Sequence, residues 1–252
     1  MSGTLSLLGR EVTRFYRQPS RVIGVFGLPL MFWAVMGLGF GGQFAIGGEN
    51  TMTYFFPGSI LMVVLFTSIF STISVIEDRH SGFLQGVLVS PAPRSAIVLG
   101  KVFGGTLLGL IQGILLTLFL WVTAGFPAWD QVLASVASLM LISLVLTALG
   151  FVFAWRLDSV QGFHGVMNLV LMPMWILSGA LFPLPGSGVL RLLMLLNPLH
   201  YGLELFRGAV NGALVWTAPT TPRCALVLIG FGLALLPLSL KVIQIRGRES
   251  AV

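Results

Sequence analysis

Charge is scarce in this chain, at 9% of 252 residues. Yet the stretch VIEDRHSGFLQGVLVSPAPRSAIVLGK, Val75 to Lys101, carries Glu77, Asp78, Arg79, His80, Arg94 and Lys101. Neighbouring carboxylates, guanidinium groups and an imidazole could shuttle protons or hold a metal. The rest of the chain supplies neither partner. No H-E-x-x-H occurs, and His80, His164 and His200 lie on separate connections, where they read as interfacial or packing residues. No G-x-x-x-x-G-K-[ST] occurs, so the chain carries no phosphate-binding P-loop of its own. Cys224 is the single cysteine, which excludes an intrachain disulfide and a cysteine-based zinc or iron–sulfur centre. We therefore assign no catalytic and no metal-binding residues. The chemistry left to the segment is electrostatic: ion pairing and docking.

The elements that must position these charges are membrane helices. Hydrophobic residues make up 56% of the chain and the mean hydropathy is +0.97. A soluble domain would carry roughly a quarter charged residues. A helical span needs about 20 mostly apolar residues, and six such runs stand at 22–40, 54–76, 102–122, 131–154, 165–184 and 224–240. None of them contains Asp, Glu, Lys or Arg. The alternating pattern of an outer-membrane barrel is missing. The expected fold is an all-α polytopic membrane protein with six transmembrane helices in one domain, 1–252. The N-terminus is too polar for a signal peptide, so the first span should be retained.

Basic residues then set the orientation. With the N-terminus inside, Arg10, Arg14, Arg17, Arg21, Arg79, Arg94, Lys101, Arg156, Lys241, Arg246 and Arg248 are cytoplasmic, and Arg191, Arg207 and Arg223 are outside. Eleven against three places both termini in the cytoplasm by the positive-inside rule. The net charge of +6 thus reflects lipid headgroups and topology, and implies no nucleic acid. Two segments do not span. Residues 4–21 mix Leu5, Leu7, Leu8, Val12 and Phe15 with arginines, as an amphipathic helix on the inner surface does. Residues 185–223 are apolar but broken by Asn197 and Pro198, which suits two short, partly re-entrant outer helices.

Uncharged spans argue against a secondary transporter coupled through membrane carboxylates. Energy for pumping must come from outside the bilayer. Segment 77–101 leaves the membrane, shows an apolar patch (GFLQGVLVS), breaks at PAP and re-enters. Charged flanks around an apolar patch suit a cytoplasmic partner; an ordinary loop anchoring two span ends is the equal alternative. Phe32, Phe66, Phe70, Met172 and Trp175 would suit an apolar cargo pathway, or simple helix packing. Asn197, Glu204 and Arg207 would form an outer gate, or a local structural pair, Glu204 and Arg207 sharing one helix face.

The string EDRHSGFLQGVLVSPAPRSAIVLGK resembles the cytoplasmic signature of permease subunits of type-2 ABC exporters, which include daunorubicin-type drug, nodulation-factor and polysaccharide export permeases. Glu77, Arg79, Gly82, Leu88, Val89, Ser90, Pro91, Arg94, Leu99, Gly100 and Lys101 match it position by position. Phe83 and Gln85 stand where the family often has Thr and Glu. A second match is WILSGALFPLP, Trp175–Pro185, followed by LNPLHYGLELFRGAV at Leu196–Val210. The resemblance covers essentially the whole chain. It implies a non-catalytic subunit in a prokaryotic inner membrane, paired with a second, identical permease subunit and with two copies of a separate ABC ATPase. ATP and Mg would bind on the ATPase, and this chain would hold no cofactor. Segment 77–101 would be a coupling helix. Its interface would comprise Glu77, Asp78, Arg79, Gly82, Phe83, Leu88, Pro91 and Arg94, flanked by Arg14, Phe15 and Arg17. The implied cargo is an amphipathic small molecule or drug, with lipid, glycolipid or polysaccharide as the alternative. A non-transport membrane assembly subunit would need no coupling segment.

Overall fold

The computed structural model describes residues 2–17, 19–40, 45–46, 49–83, 86, 93–213 and 220–249. Helix α1 spans Ser2–Tyr16. It buries Glu11 and Phe15, and half-buries Leu7, Leu8 and Val12, on one face. Helix α2 runs Pro19–Phe40; Pro19 takes its first position, where no amide is needed. Among the described residues the only extended pairing is a two-residue hairpin, Ala45–Ile46 (β1) with Glu49–Asn50 (β2).

The second apolar run forms α3, Thr51–Ser71, and α4, Ile73–His80. They are separated by a single tightened step at Thr72, whose amide bonds Ile69 O at 3.0 Å. Together they make one apolar rod that runs on to His80 rather than stopping at Ile76. The next helices are α5, Arg94–Ala124, and α6, Trp129–Arg156. Helix α5 begins well before the expected position 102. Arg94 and Lys101 therefore sit on the helix by which the segment re-enters, and Lys101 is buried beside Ile97, Val98 and Val102 of the core.

The fifth expected span, 165–184, is displaced toward the N-terminus. Helix α7 covers Val160–Trp175, started by Ser159, whose hydroxyl accepts the Gly162 amide at 2.9 Å. A π turn over Ile176–Ala180 ends it, with Gly179 at φ 96°. That conformation suits glycine and turns carbonyls away from the helix. Two short helices follow at the expected outer element, α8, Val189–Leu196, and α9, Pro198–Val210, joined at Asn197. The last is α10, Thr220–Glu249, longer at both ends than the expected 224–240. Five helices are long and apolar enough to cross a membrane among the described residues: Tyr54–His80, Ser95–Val122, Trp129–Arg156, Val160–Ala180 and Thr220–Ile243. Helix α2, 22 residues long, lies over the first expected span and is not among those five.

Helix α3 is the centre. It packs against α2, α5 and α6 and almost all of it is buried. Close approach is possible because α5 presents Gly105, Gly109 and Gly113 four residues apart. A Cβ on Gly113 would stand 2.8 Å from Val64 Cγ2, and those on Gly105 and Gly109 would overlap Ser71, Thr147, Ser68 and Ser143. The serines use the same closeness: Ser68 Oγ and Ser143 Oγ share a hydrogen bond of 2.8 Å, and Ser143 donates to Thr106 O at 2.9 Å. Thr67 donates to Gln112 Oε1. Small residues with inter-helix hydrogen bonds are the usual means of packing helices without a hydrophobic driving force.

Candidate functional site

One end of the bundle gathers the charges. Asp78 is 1% exposed and its carboxylate accepts hydrogen bonds from Arg10 at 2.8 and 2.9 Å, Arg14 at 2.9 Å and Lys101. Lys101 also donates to Glu11 Oε1 at 2.6 Å and Ser74 Oγ at 3.0 Å. Arg14 donates to Glu77 Oε2 at 2.7 Å. Three cations thus meet three carboxylates. A charge leaves water only when paired and hydrogen-bonded, and here every buried charge is. Hydrogen bonds to Asp78 hold the Arg10 guanidinium above its ordinary pKa, against the burial that works to lower it.

The network binds three elements. Arg10, Glu11 and Arg14 come from α1, Glu77 and Asp78 from α4, and Lys101 from α5. Backbone closeness sets the distance: a Cβ on Gly100 would lie 2.8 Å from Leu7 Cβ, and one on Gly104 3.0 Å from Glu11 Cβ. A fourth element is tied by Arg79. Its guanidinium donates to the carbonyls of Ala154, Trp155 and Leu157 at 2.9–3.1 Å and to Asp158 Oδ1 at 2.9 Å. It thereby satisfies the open carbonyl end of α6, where a cation is favoured. His80 Nε2 bonds Asp158 O at 2.6 Å.

The residues expected to face a partner divide into two sets. Asp78 and Phe15 turn inward and are buried, so they can shape an interface only through the helices they fix. Glu77 and Arg79 are half-buried and Arg17 is exposed. Gly82, at φ 74°, turns the chain out of α4. Phe83 is then exposed, with the Arg10 guanidinium 3.7 Å above its ring. Leu88, Pro91 and the Arg94 side chain lie outside the described residues. Sequence reasoning missed Arg10, Glu11 and Lys101 as site members. A signal existed for the first two: Arg10, Glu11 and Arg14 cluster on a helix with an apolar face. Nothing local pairs Asp158 with Arg79.

At the opposite end, the π turn frees carbonyls that side chains then claim. Asn197 Nδ2 donates to Met174 O at 2.5 Å while its Oδ1 accepts the Leu199 amide at 3.0 Å. His200 Nδ1 lies 3.1 Å from Ser178 O, and Tyr54 donates to Gly179 O at 3.0 Å. Arg207 reaches Glu204 only at 3.5 Å and lies 4.4 Å above the Tyr54 ring. Asn197→Ala will uncap α9 and release Met174 O, at a cost of about 1–2 kcal/mol. Thermal unfolding of the purified chain checks this.

The aromatic candidates form two separate groups. Phe32 packs edge-on to Trp175 at 4.9 Å, and Trp175 Nε1 donates to Gly58 O at 2.9 Å. Phe66 stacks on Phe70 at 5.4 Å, and His164 sits 4.7 Å from Phe70. Met172 is half-buried.

Known proteins show the same pattern of chain. Residues 3–211 match the ABC-2 type transporter family. The daunorubicin resistance ABC transporter permease protein DrrB1 of Streptomyces coeruleorubidus is 25% identical over 84% of this chain and 76% of its own length. Nodulation protein J of Neorhizobium galegae is 24% identical over 77% and 75%. The inner membrane transport permease YadH of Escherichia coli K12 is 28% identical over 64% and 63%. With a match across most of its length and five apolar helices long enough to span, the chain belongs to the ABC-2 type transporter family and is a multi-pass permease subunit of an ABC transporter.

Proposed function

We propose that this permease is half of the membrane unit of an ATP-driven exporter, working as a homodimer with two copies of a separate ATPase. The carrying observation is the six-charge network of Arg10, Glu11, Arg14, Glu77, Asp78 and Lys101. It makes α1, α4 and α5 one body, and Arg79 adds α6. In this reading α2 is the first of six spans, both termini are cytoplasmic, and the charged end faces the cytoplasm of a prokaryotic inner membrane. Segment 77–101 is the coupling helix, seated on the ATPase, with Glu77, Phe83, Leu88, Pro91, Arg94 and Arg17 at the contact. ATP and Mg belong to that partner; this chain positions and transmits. A push on the segment then moves four helices together, because buried ion pairs and close glycine contacts leave no slack between them.

Cargo passes between the two permease copies. Phe32, Trp175, Phe66, Phe70 and Met172 favour an amphipathic small molecule or drug, since aromatic and thioether surfaces accept apolar groups of varied shape. The name of the daunorubicin resistance relative supports a drug as cargo. A lipid, glycolipid or polysaccharide is the competing cargo. Asn197, Glu204 and Arg207 hold the outer end closed around the π turn, and α8 and α9 are its re-entrant helices.

Purification with the genomically adjacent ATPase tests the proposal. The complex should hydrolyse ATP faster with its cargo, and Glu77→Ala with Phe83→Ala should cut that stimulation by about tenfold, the equivalent of 1.4 kcal/mol of coupling. Failure of any ATPase to co-purify, or unchanged stimulation in the double variant, would favour a membrane assembly subunit instead.

A further inference from the structure

Two cavities lie along one face of α10. The first, of about 600 Å³, is lined by Arg191, Arg207 and Arg223 with Tyr201, Glu204 and Cys224. The second, of about 250 Å³, has only apolar lining, including Met174, Leu199, Leu228, Phe231 and Leu235. On α10, Cys224 belongs to the first, and Leu228, Phe231 and Leu235 to the second. Those positions follow one another by four, three and four residues, which is a single helix stripe. At 1.5 Å of rise per residue the second cavity extends about 6 to 16 Å from the first.

The first cavity has an excess of positive charge. Arg191, Arg207 and Arg223 are all the basic residues between Arg156 and Lys241, and all three reach it. Glu204 alone opposes them there, and it meets Arg207 only at 3.5 Å. Arg207 Nε is buried with no hydrogen-bond partner. Arg223 is exposed and makes no ion pair among the described residues. Arg191 is aimed by bonds to Pro185 O and Gly186 O at 3.0 and 3.3 Å, which occupy one of its nitrogens. A buried donor left open, as Arg207 Nε is, is costly, and the planar fork of the three guanidinium groups fits phosphate oxygens. Beside them α8 exposes Val189, Leu192 and Leu196, an apolar face that fits lipid at the depth of the headgroups.

We propose that α9 and α10 hold a resident anionic phospholipid. Its phosphate diester lies among Arg191, Arg207 and Arg223, and one acyl chain fills the apolar cavity. The site is on the flank formed by α10, apart from the proposed pathway aromatics. Arg207 links it to the end of span five, because its Nη2 also reaches Tyr54 O and Gly179 O at 3.4 Å. The lipid would thus steady the π turn. The inference rests on the proposed orientation only for the leaflet, which is the outer one.

The test is native mass spectrometry of the purified full chain, equilibrated with mixed phosphatidylglycerol and phosphatidylcholine micelles, without ATP or cargo. Wild type should retain phosphatidylglycerol over phosphatidylcholine by about tenfold, as one or two charge-assisted hydrogen bonds provide. Arg207→Gln should abolish the preference. Arg223→Gln should weaken it several-fold, and, since Arg223 is exposed and makes no ion pair among the described residues, this variant keeps the fold. Leu235→Trp should reduce retention of both lipids by filling the apolar cavity. Excess inorganic phosphate should not displace the lipid, since the chain contributes to binding. Equal retention of both lipids, an unchanged preference in both arginine variants, or displacement by phosphate alone would overturn the proposal. None of these outcomes touches the exporter reading, which is tested through the ATPase.

Discussion

Asp78→Ala will destabilise the charged end of the permease by about 3–5 kcal/mol, the usual cost of removing one partner from a buried ion pair. The carboxylate is 1% exposed and serves Arg10, Arg14 and Lys101 together. Its loss leaves Lys101, 4% exposed, with Glu11 and Ser74, strips Arg10 of its carboxylate and leaves Arg14 with Glu77 alone. Helix α1 should then detach from α5. A fall in the thermal midpoint of the purified chain, together with labelling of a cysteine placed at Leu7, reads both effects. Asp78→Asn keeps the shape and should lose less. A change below about 1 kcal/mol, within the range of exposed pairs, would show that the network contributes little.

Gly109→Ala will cost about 2–4 kcal/mol, combining overpacking with a lost hydrogen bond. The added Cβ would overlap both Ser68 Oγ and Ser143 Oγ, which bond each other at 2.8 Å. Either the two hydroxyls turn to other rotamers and break their mutual bond, or α3 or α6 retreats. Gly165 on α7 is the control: nothing lies within 4 Å of its Cβ position. Gly165→Ala should be neutral or stabilising by about 0.5–1 kcal/mol, because alanine is the better helix former. If both substitutions have the same effect on detergent-solubilised unfolding, close packing along Gly105, Gly109 and Gly113 does not hold the core.

The helices were legible because an apolar run of about 20 residues has one solution in a bilayer. Their ends were not. Glu77, Asp78, Arg79 and Lys101 look like loop residues by composition, yet they lie within α4 and α5 because ion-pair partners neutralise them. Ser159 and Gly179 moved the fifth span by capping and by positive φ, signals weaker than hydropathy. At the site, Glu77 and Arg79 stood out by motif. The inward turn of Asp78 did not, since it depends on Arg10 and Arg14, which lie 68 and 64 positions away. Arg79 was visible as a charge, but its role at the end of α6 needs backbone carbonyls that no side-chain pattern reveals. The arginines of the opposite end read as orientation signals, and Arg207 also as a gate residue or the partner of Glu204, but only the fold brings all three to one cavity.

The ion network also has a consequence in time. Helix α1 is made before α4 and α5, and Asp78 and Lys101 follow some tens of residues after Arg10 and Arg14. At typical rates of synthesis Arg10 and Arg14 wait about 3–18 seconds for Asp78 and Lys101 to emerge. During that interval only Glu11, still without Lys101, offsets their charge. Those are the conditions under which basic residues hold a terminus on the cytoplasmic side. In the proposed orientation the same guanidinium groups would orient the nascent chain while unpaired, and afterwards lock the finished one by becoming paired.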